Sequence, residues 1–239
     1  MNKTKKIKLF IGLFYLLTAC TFLYFFLSKF SFQEITSYEF IKNNRNYFFE
    51  LRQSNLFILA SLYICFTILW TFAAGFGSPV GLSAGFIFGT WFGVLFSVIG
   101  QTIGATCLYI FSNYFLKNII KKKFLGRFKN LESKFKKSEF NFLLIYRFVG
   151  GIPFAVSNVL PCMFNVKTSN FFFATLIGII PQNFLIVSIG SGLDKIIDQN
   201  IETPTFMDII TSPDIYIPIL AFFGLVLITI TVRKYINQK

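Results

Sequence analysis

The 239-residue chain contains no histidine, so the side chain most used for proton transfer near neutral pH, also a principal zinc ligand, is missing. Acidic residues are sparse too. Ten Asp and Glu stand against 23 Lys and Arg, a formal net charge of +13, and none of the ten falls between Glu50 and Glu132. The apolar middle of the chain therefore holds no pair of carboxylates for acid–base chemistry. Cys20, Cys65, Cys107 and Cys162 lie far apart, with no CxxC and no ligand cluster. Neither a zinc site nor a redox motif is supported, and buried, inert thiols are the expectation. These absences argue against an enzyme, and no metal and no cofactor is expected. Charge of either sign is scarce: 14% of residues are charged, where a soluble domain carries about a quarter.

What fills the space is apolar. Hydrophobic residues make up 54% of the chain and the mean hydropathy is +0.64, the composition of an integral membrane protein. Phe is abundant, but Phe, Lys, Ile and Asn share AT-rich codons, and codon bias supplies such an excess without an aromatic cage. In so hydrophobic a chain the positive charge fits cytoplasmic loops facing anionic lipid better than it fits nucleic acid.

The N-terminal MNKTKKIK precedes an apolar run from Ile7 to Leu27. The run exceeds a signal-peptide core of about 7–15 residues and no A-x-A site follows, so it reads as an uncleaved transmembrane helix with a cytoplasmic N-terminus. Residues 28–55 mix charges and suit an external loop with some helix. A second run, Leu56 to Phe76, is long enough to span a hydrocarbon core of about 30 Å. From Gly77 to Phe111, Pro79 opens a segment in which Gly81, Gly85, Gly89 and Gly93 share one face of a continuous helix. They form either a close-packing seam or part of a broken, re-entrant hairpin.

Residues 117–139 carry nine Lys and Arg against two Glu, with Ile120, Phe124, Phe128, Leu131 and Phe135 at three- and four-residue intervals. This is the pattern of a basic amphipathic helix on a membrane surface, against anionic headgroups on the cytoplasmic side. Residues 194–213 are acidic and read as external. The last apolar run, Ile215 to Val232, ends in RKYINQK, which places the C-terminus in the cytoplasm. On this map 77–115 and 140–165 each enter and leave on one side, and 166–192 crosses once. The expected fold is an all-α polytopic membrane protein, with transmembrane helices, two re-entrant broken-helix hairpins and the basic surface helix.

The stretch YRFVGGIPFAVSNVLP, from Tyr146 to Pro161, puts a charge and helix breakers into an apolar segment. Eight helical residues from Glu139 carry Arg147 about 12 Å inward. An intramembrane arginine costs at least ~2.5 kcal/mol on insertion scales and is a functional candidate unless it snorkels back to the headgroups. Pro153 lacks an N–H, and Gly150 and Gly151 accept the dihedrals of a break. Backbone groups freed there cannot face lipid, and half-helix N-termini favour anions. Asn158 adds a donor and an acceptor. Gln101, Asn113, Gln182 and Asn183 either bind a headgroup or act as inter-helix glue. Arg147, Gly150, Gly151, Pro153 and Asn158 together make a candidate substrate site for a phosphate headgroup.

The run PVGLSAGFIFGTWFG followed by GQTIGATCLYIFSNY, and later the Arg147 segment with GGIPFAVSN and FNVKTSNFFFATLIGIIP, resembles the membrane core of the DedA superfamily, also called SNARE-associated Golgi or VTT-domain proteins. The resemblance covers Phe76 to Leu193, about half the chain. It implies two facing re-entrant hairpins, with Pro79, Gly81, Gly85, Gly89, Gly93, Gly178 and Pro181 as hairpin residues. It also implies lipid movement between leaflets, of polyprenyl-phosphate carriers in bacteria and phospholipids in eukaryotes, and here a bacterial plasma membrane. Relatives often carry acidic residues near the first hairpin for ion coupling; this chain has none there. Pro161, in VLPCMFN, departs from the small residue and glycine common after the Asn.

The expected organisation is an N-terminal transmembrane helix and external loop (1–55), a hairpin core (56–193), and an acidic loop, final helix and basic tail (194–239). The expected function is flippase- or scramblase-like lipid transport. A secondary transporter of a small solute or ion and a non-transporting assembly protein are the alternatives, and a homo-oligomer is left open.

Overall fold

The structure is a computed structural model that describes residues 38–124, 138–149, 153–199 and 211–224, with residue 207 and scattered positions between 10 and 28. Every described element is a helix. They are α1 (Tyr38–Phe72), α2 (Gly77–Phe115), α3 (Lys117–Phe124), α4 (Glu139–Val149), α5 (Phe154–Val159) running into a 3₁₀ turn (Leu160–Phe164), α6 (Thr168–Gly178), α7 (Ile180–Gln199) and α8 (Pro213–Gly224). The described positions between 10 and 28 are helical too. Tyr15 there donates its hydroxyl to the Phe72 carbonyl and sets its ring 4.1 Å from that of Phe111. Tyr47–Phe72 and Gly77–Phe115 are long and apolar enough to cross a membrane. The pair α6 and α7, bent by 42°, makes a third if it counts as one span.

α1 ends abruptly. The Gly75 N–H bonds the Trp70 carbonyl at 2.9 Å and the Ala74 N–H bonds that of Thr71 at 3.0 Å, the paired pattern that closes a helix through a left-handed residue. That residue is Ala74, with φ 64, where glycine is usual. Trp70 Nε1 donates to the Phe76 carbonyl at 2.8 Å and pins the turn. The chain then runs back along α1: Tyr63 donates to the Val80 carbonyl at 2.6 Å, and Arg52 to that of Ile87 at 3.3 Å.

α2 itself folds at Gly89, whose φ 75 and ψ −179 lie in a region open almost only to glycine. A Cβ on Gly93 would lie 2.8 Å from the Ala84 carbonyl oxygen, and one on Gly77 would lie 3.2 Å from Gln101 Oε1. A straight helix would hold residues 77 and 101 about 36 Å apart. α2 is therefore a helical hairpin, with a short outgoing arm (77–88) and a long returning arm (90–115). The long arm lies on α1 at Gly100 and Gly104, where added Cβ atoms would meet the side chains of Thr67 and Thr71 at 2.7 Å.

This corrects two expectations. Gly81, Gly85, Gly89 and Gly93 do not share one helical face, because Gly89 is the fold and Gly93 stands on the opposite arm. Nor does the segment 77–115 end at the level where it begins. Its unequal arms carry Phe115 well past Gly77, and the short arm runs antiparallel to α1 as well as to the long arm.

A second reversal follows. Glu139, the first residue of α4, accepts hydrogen bonds from the Lys167 N–H at 3.1 Å and from Asn170 Nδ2 at 2.8 Å, so α4 and α6 start side by side. Between them the chain leaves along α4, is extended at Pro153 (φ −50, ψ 134) and returns through α5 and the 3₁₀ turn to Asn165, left-handed at φ 56. α6 then runs alongside α4. Pro181 cannot donate to the preceding turn, which accounts for the bend into α7. α7 packs onto both arms of α2. A Cβ on Gly85 would fall 1.9 Å from the Val187 carbonyl oxygen, and one on Gly190 2.1 Å from that of Leu82. Backbones approach this closely only where side chains are absent.

Two buried clusters stabilise the ends of this arrangement. One joins Trp70, Val80, Ala84, Phe88 and Val187. In the other, Tyr109 stacks on Phe171 at 4.4 Å and donates to the Val166 carbonyl, while Ile120 of α3 packs against the same group. Of the surface helix expected over 117–139, α3 is the described part; 125–137, Gly150 and Gly151 lie outside the described residues, as do most of the first apolar run and the end of the last.

Two substitutions should move stability in opposite directions. Gly89→Ala places a Cβ in a dihedral region it avoids and is expected to destabilise by ~1–3 kcal/mol. Ala74→Gly relieves a left-handed alanine and is expected to stabilise by up to ~1 kcal/mol. Thermal unfolding in detergent reads both, and a Gly89→Ala curve overlaying wild type would show that α2 does not fold there.

Candidate functional site

Arg147 lies in the last turn of α4 and is 4% exposed. Its Nη1 donates to Ser157 Oγ at 2.6 Å, and Ser157 donates onward to the Phe154 carbonyl at 2.7 Å. The guanidinium carbon stands 5.6 Å from the Phe154 ring centre and 5.1 Å from that of Phe171. The charge is thus held between two aromatic rings whose faces attract cations. Gly178 makes room for it: a Cβ there would lie 2.6 Å from Arg147 Cβ.

The remaining donors are unanswered. Arg147 Nε and Nη2 are buried and meet no hydrogen-bond partner among the described residues. No counter-charge faces it among the described residues; a buried charge so placed is strongly unfavourable, and each unmade hydrogen bond to a charged group forfeits about 1.5–3 kcal/mol. The chemistry this environment lacks is an anion. Asn158, on the same short helix as Ser157, is fully buried, and neither its amide atoms nor the Tyr146 hydroxyl meet a partner among the described residues.

Beside Arg147 lies a cavity of about 290 Å³, where three helix starts converge. Gly77 and Ser78 come from α2, Pro153 and Phe154 from the break before α5, Gln182 and Asn183 from α7, and Gln101 reaches in from the long arm. Pro153 borders this cavity directly, whereas Arg147 sits behind the Phe154 ring.

The amides around the cavity are wired together. Asn183 donates to the Ile179 carbonyl at 3.2 Å and accepts from Gln101 Nε2 at 2.8 Å and Ser97 Oγ at 3.2 Å. That joins the long arm to α7 and answers a carbonyl at the bend. Gln101 and Asn183 therefore act as inter-helix glue while bordering the cavity. The sequence reading did not single out Ser157, Phe154 or Glu139. Ser157 and Phe154 stand in the quoted stretch, but an aromatic and a hydroxyl give no signal of their own in an apolar run.

A family model, that of the VTT domain, matches residues 76–192. Residues 76–192 are a VTT domain. This is the domain of the DedA/SNARE-associated Golgi protein family. The VTT domain opens at Phe76, in the turn after α1, and takes in both arms of α2, the second reversal and every residue bordering the cavity. With its apolar helices, the domain makes the chain an integral membrane protein. No solved structure matches the chain.

Asn183→Ala takes the acceptor from Gln101, while Ser97 keeps the Val94 carbonyl at 3.2 Å, and is expected to destabilise by ~1–3 kcal/mol. A double-mutant cycle with Gln101→Ala, read by denaturation in detergent, should give a coupling of ~0.5–3 kcal/mol. Additive effects would mean the two amides do not interact.

Proposed function

We propose that the protein is a flippase- or scramblase-type transporter that moves phosphate-bearing lipids between leaflets, with Arg147 as the phosphate contact. The observation that carries this reading is the buried guanidinium, with two donors unanswered among the described residues, behind a cavity that Ser78, Gln101, Gln182 and Asn183 help to line. A phosphate ester supplies the missing acceptors, and arginine's planar fork matches it. The starts of α2 and α7, at the same cavity, add a field that favours an anion. A cavity of about 290 Å³ holds a headgroup and not the chains behind it, so acyl or prenyl chains stay in the bilayer. The VTT domain agrees with a transporter-like role, and the translocation proposed here would involve no bond making or breaking.

The geometry supports two re-entrant elements that approach from opposite faces. α1 and the short arm of α2 form one, and α4 with α5 and the 3₁₀ turn form the other; their tips meet at the cavity. The long arm and the α6–α7 pair then make the crossings. Lys117 and the other lysines of α3, beside the second element, support a cytoplasmic position for that side, against anionic headgroups. Asp194 and Asp198 lie in the last turns of α7, at the far end of the α6–α7 crossing. This arrangement keeps the sidedness expected from charge while moving the first reversal to residues 73–76.

The test is reconstitution into liposomes with labelled phospholipid or polyprenyl phosphate. Arg147→Gln should lower translocation at least about tenfold, the loss of one charge-assisted bond of ~1.5–3 kcal/mol, and Arg147→Lys should fall less. Wild-type protein at the background rate would refute lipid transport. Arg147→Gln at the wild-type rate would refute the role of Arg147.

A further inference from the structure

We propose that Phe154 is the gate between the cavity and Arg147, and that an anion reaches the guanidinium only by displacing this ring. The inference rests on the reading of Arg147 as an anion contact. Phe154 borders the cavity, whereas Arg147 is 4% exposed and does not. On one side, the position of a Cβ on Gly77 lies 3.7 Å from Phe154 Cγ and Cδ1. On the other, the Arg147 guanidinium carbon lies 5.6 Å from the ring centre. One ring therefore spans the gap between the start of α2 and the buried charge.

The two rings around Arg147 are not equivalent. Phe171 is fully buried and stacked on Tyr109 at 4.4 Å, so it has nowhere to go. Phe154 is half-buried and faces open volume. Its backbone is held, because the Phe154 carbonyl accepts from Ser157, which in turn accepts from Arg147. Its side chain makes no directional bond, so rotation about χ1 moves the ring without breaking that tether. In the closed position the ring's π face partly substitutes for the missing anion. A phosphate offers Nε and Nη2 true acceptors and outcompetes the ring, while a headgroup without an anion gives the ring no reason to move. Phe154 would then determine specificity as well as access.

Arginine-selective modification with phenylglyoxal, followed by peptide mass spectrometry on the full-length protein in detergent, tests this independently of transport. In wild type, Arg147 should react far more slowly than Arg52. In Phe154→Ala it should react about tenfold faster than in wild type, a barrier change of ~1.4 kcal/mol, with Arg52 unchanged and Phe154→Leu intermediate. Phe154→Leu keeps an apolar side chain and carries the test if the alanine variant does not fold. Inorganic phosphate should slow the reaction of the opened variants. Equal Arg147 rates in all three proteins, or a wild-type Arg147 as reactive as Arg52, would overturn the gate. Faster modification that phosphate does not slow would uphold the gate and overturn Arg147 as the phosphate contact.

Discussion

Where a helix stops inside an apolar bundle, the backbone groups it releases must be answered within the protein, because lipid offers no partner. This chain stops helices at several such places, and side chains bond backbone carbonyls beside them. Trp70 bonds that of Phe76 just before α2, Asn183 bonds that of Ile179 just before α7 through both its side chain and its backbone N–H, and Ser157 bonds that of Phe154 in the first turn of α5. Arg52 does the same for Ile87 beside the fold in α2. These bonds allow reversals at depth, and the reversals bring three helix starts to one cavity.

Glycine makes the convergence close enough to matter. Gly85 and Gly190 set the backbones of α2 and α7 directly against each other, and Gly178 seats α4 on α6 at the level of Arg147. The guanidinium is thereby fixed against two aromatic rings, with one of its donor nitrogens occupied among the described residues. A packed bundle that holds a charge so incompletely satisfied is poised for a ligand of opposite sign. A neutral core of the same shape would be more stable and would recognise nothing.

Much of this was legible in the sequence, and the reason for each miss is physical. Arg147 and Pro153 stood out because a charge and a missing N–H are anomalies in an apolar run. The fold at Gly89 was ambiguous: glycines every four residues look the same whether they make a seam or a hinge, and no proline marks the spot. The reversal after α1 was hidden because its left-handed residue is Ala74, where a glycine would have signalled the stop. The link between Gln101 and Asn183 spans 82 positions, beyond any local pattern. Phe154 was one aromatic among 35 phenylalanines, and only the fold places it between a cavity and a charge.

The central claim is that Arg147 binds a lipid phosphate at the meeting point of the two reversals. Solid-state NMR dephasing between phosphorus and the Arg147 guanidinium nitrogens tests it most directly, in protein reconstituted with phosphate-bearing lipid and assigned by difference from Arg147→Lys. The account predicts phosphorus within about 4 Å of a guanidinium nitrogen, as a charge-assisted N–H···O bond of about 2.8 Å requires. Absence of dephasing at Arg147, with lipids the protein translocates present in excess, would contradict it.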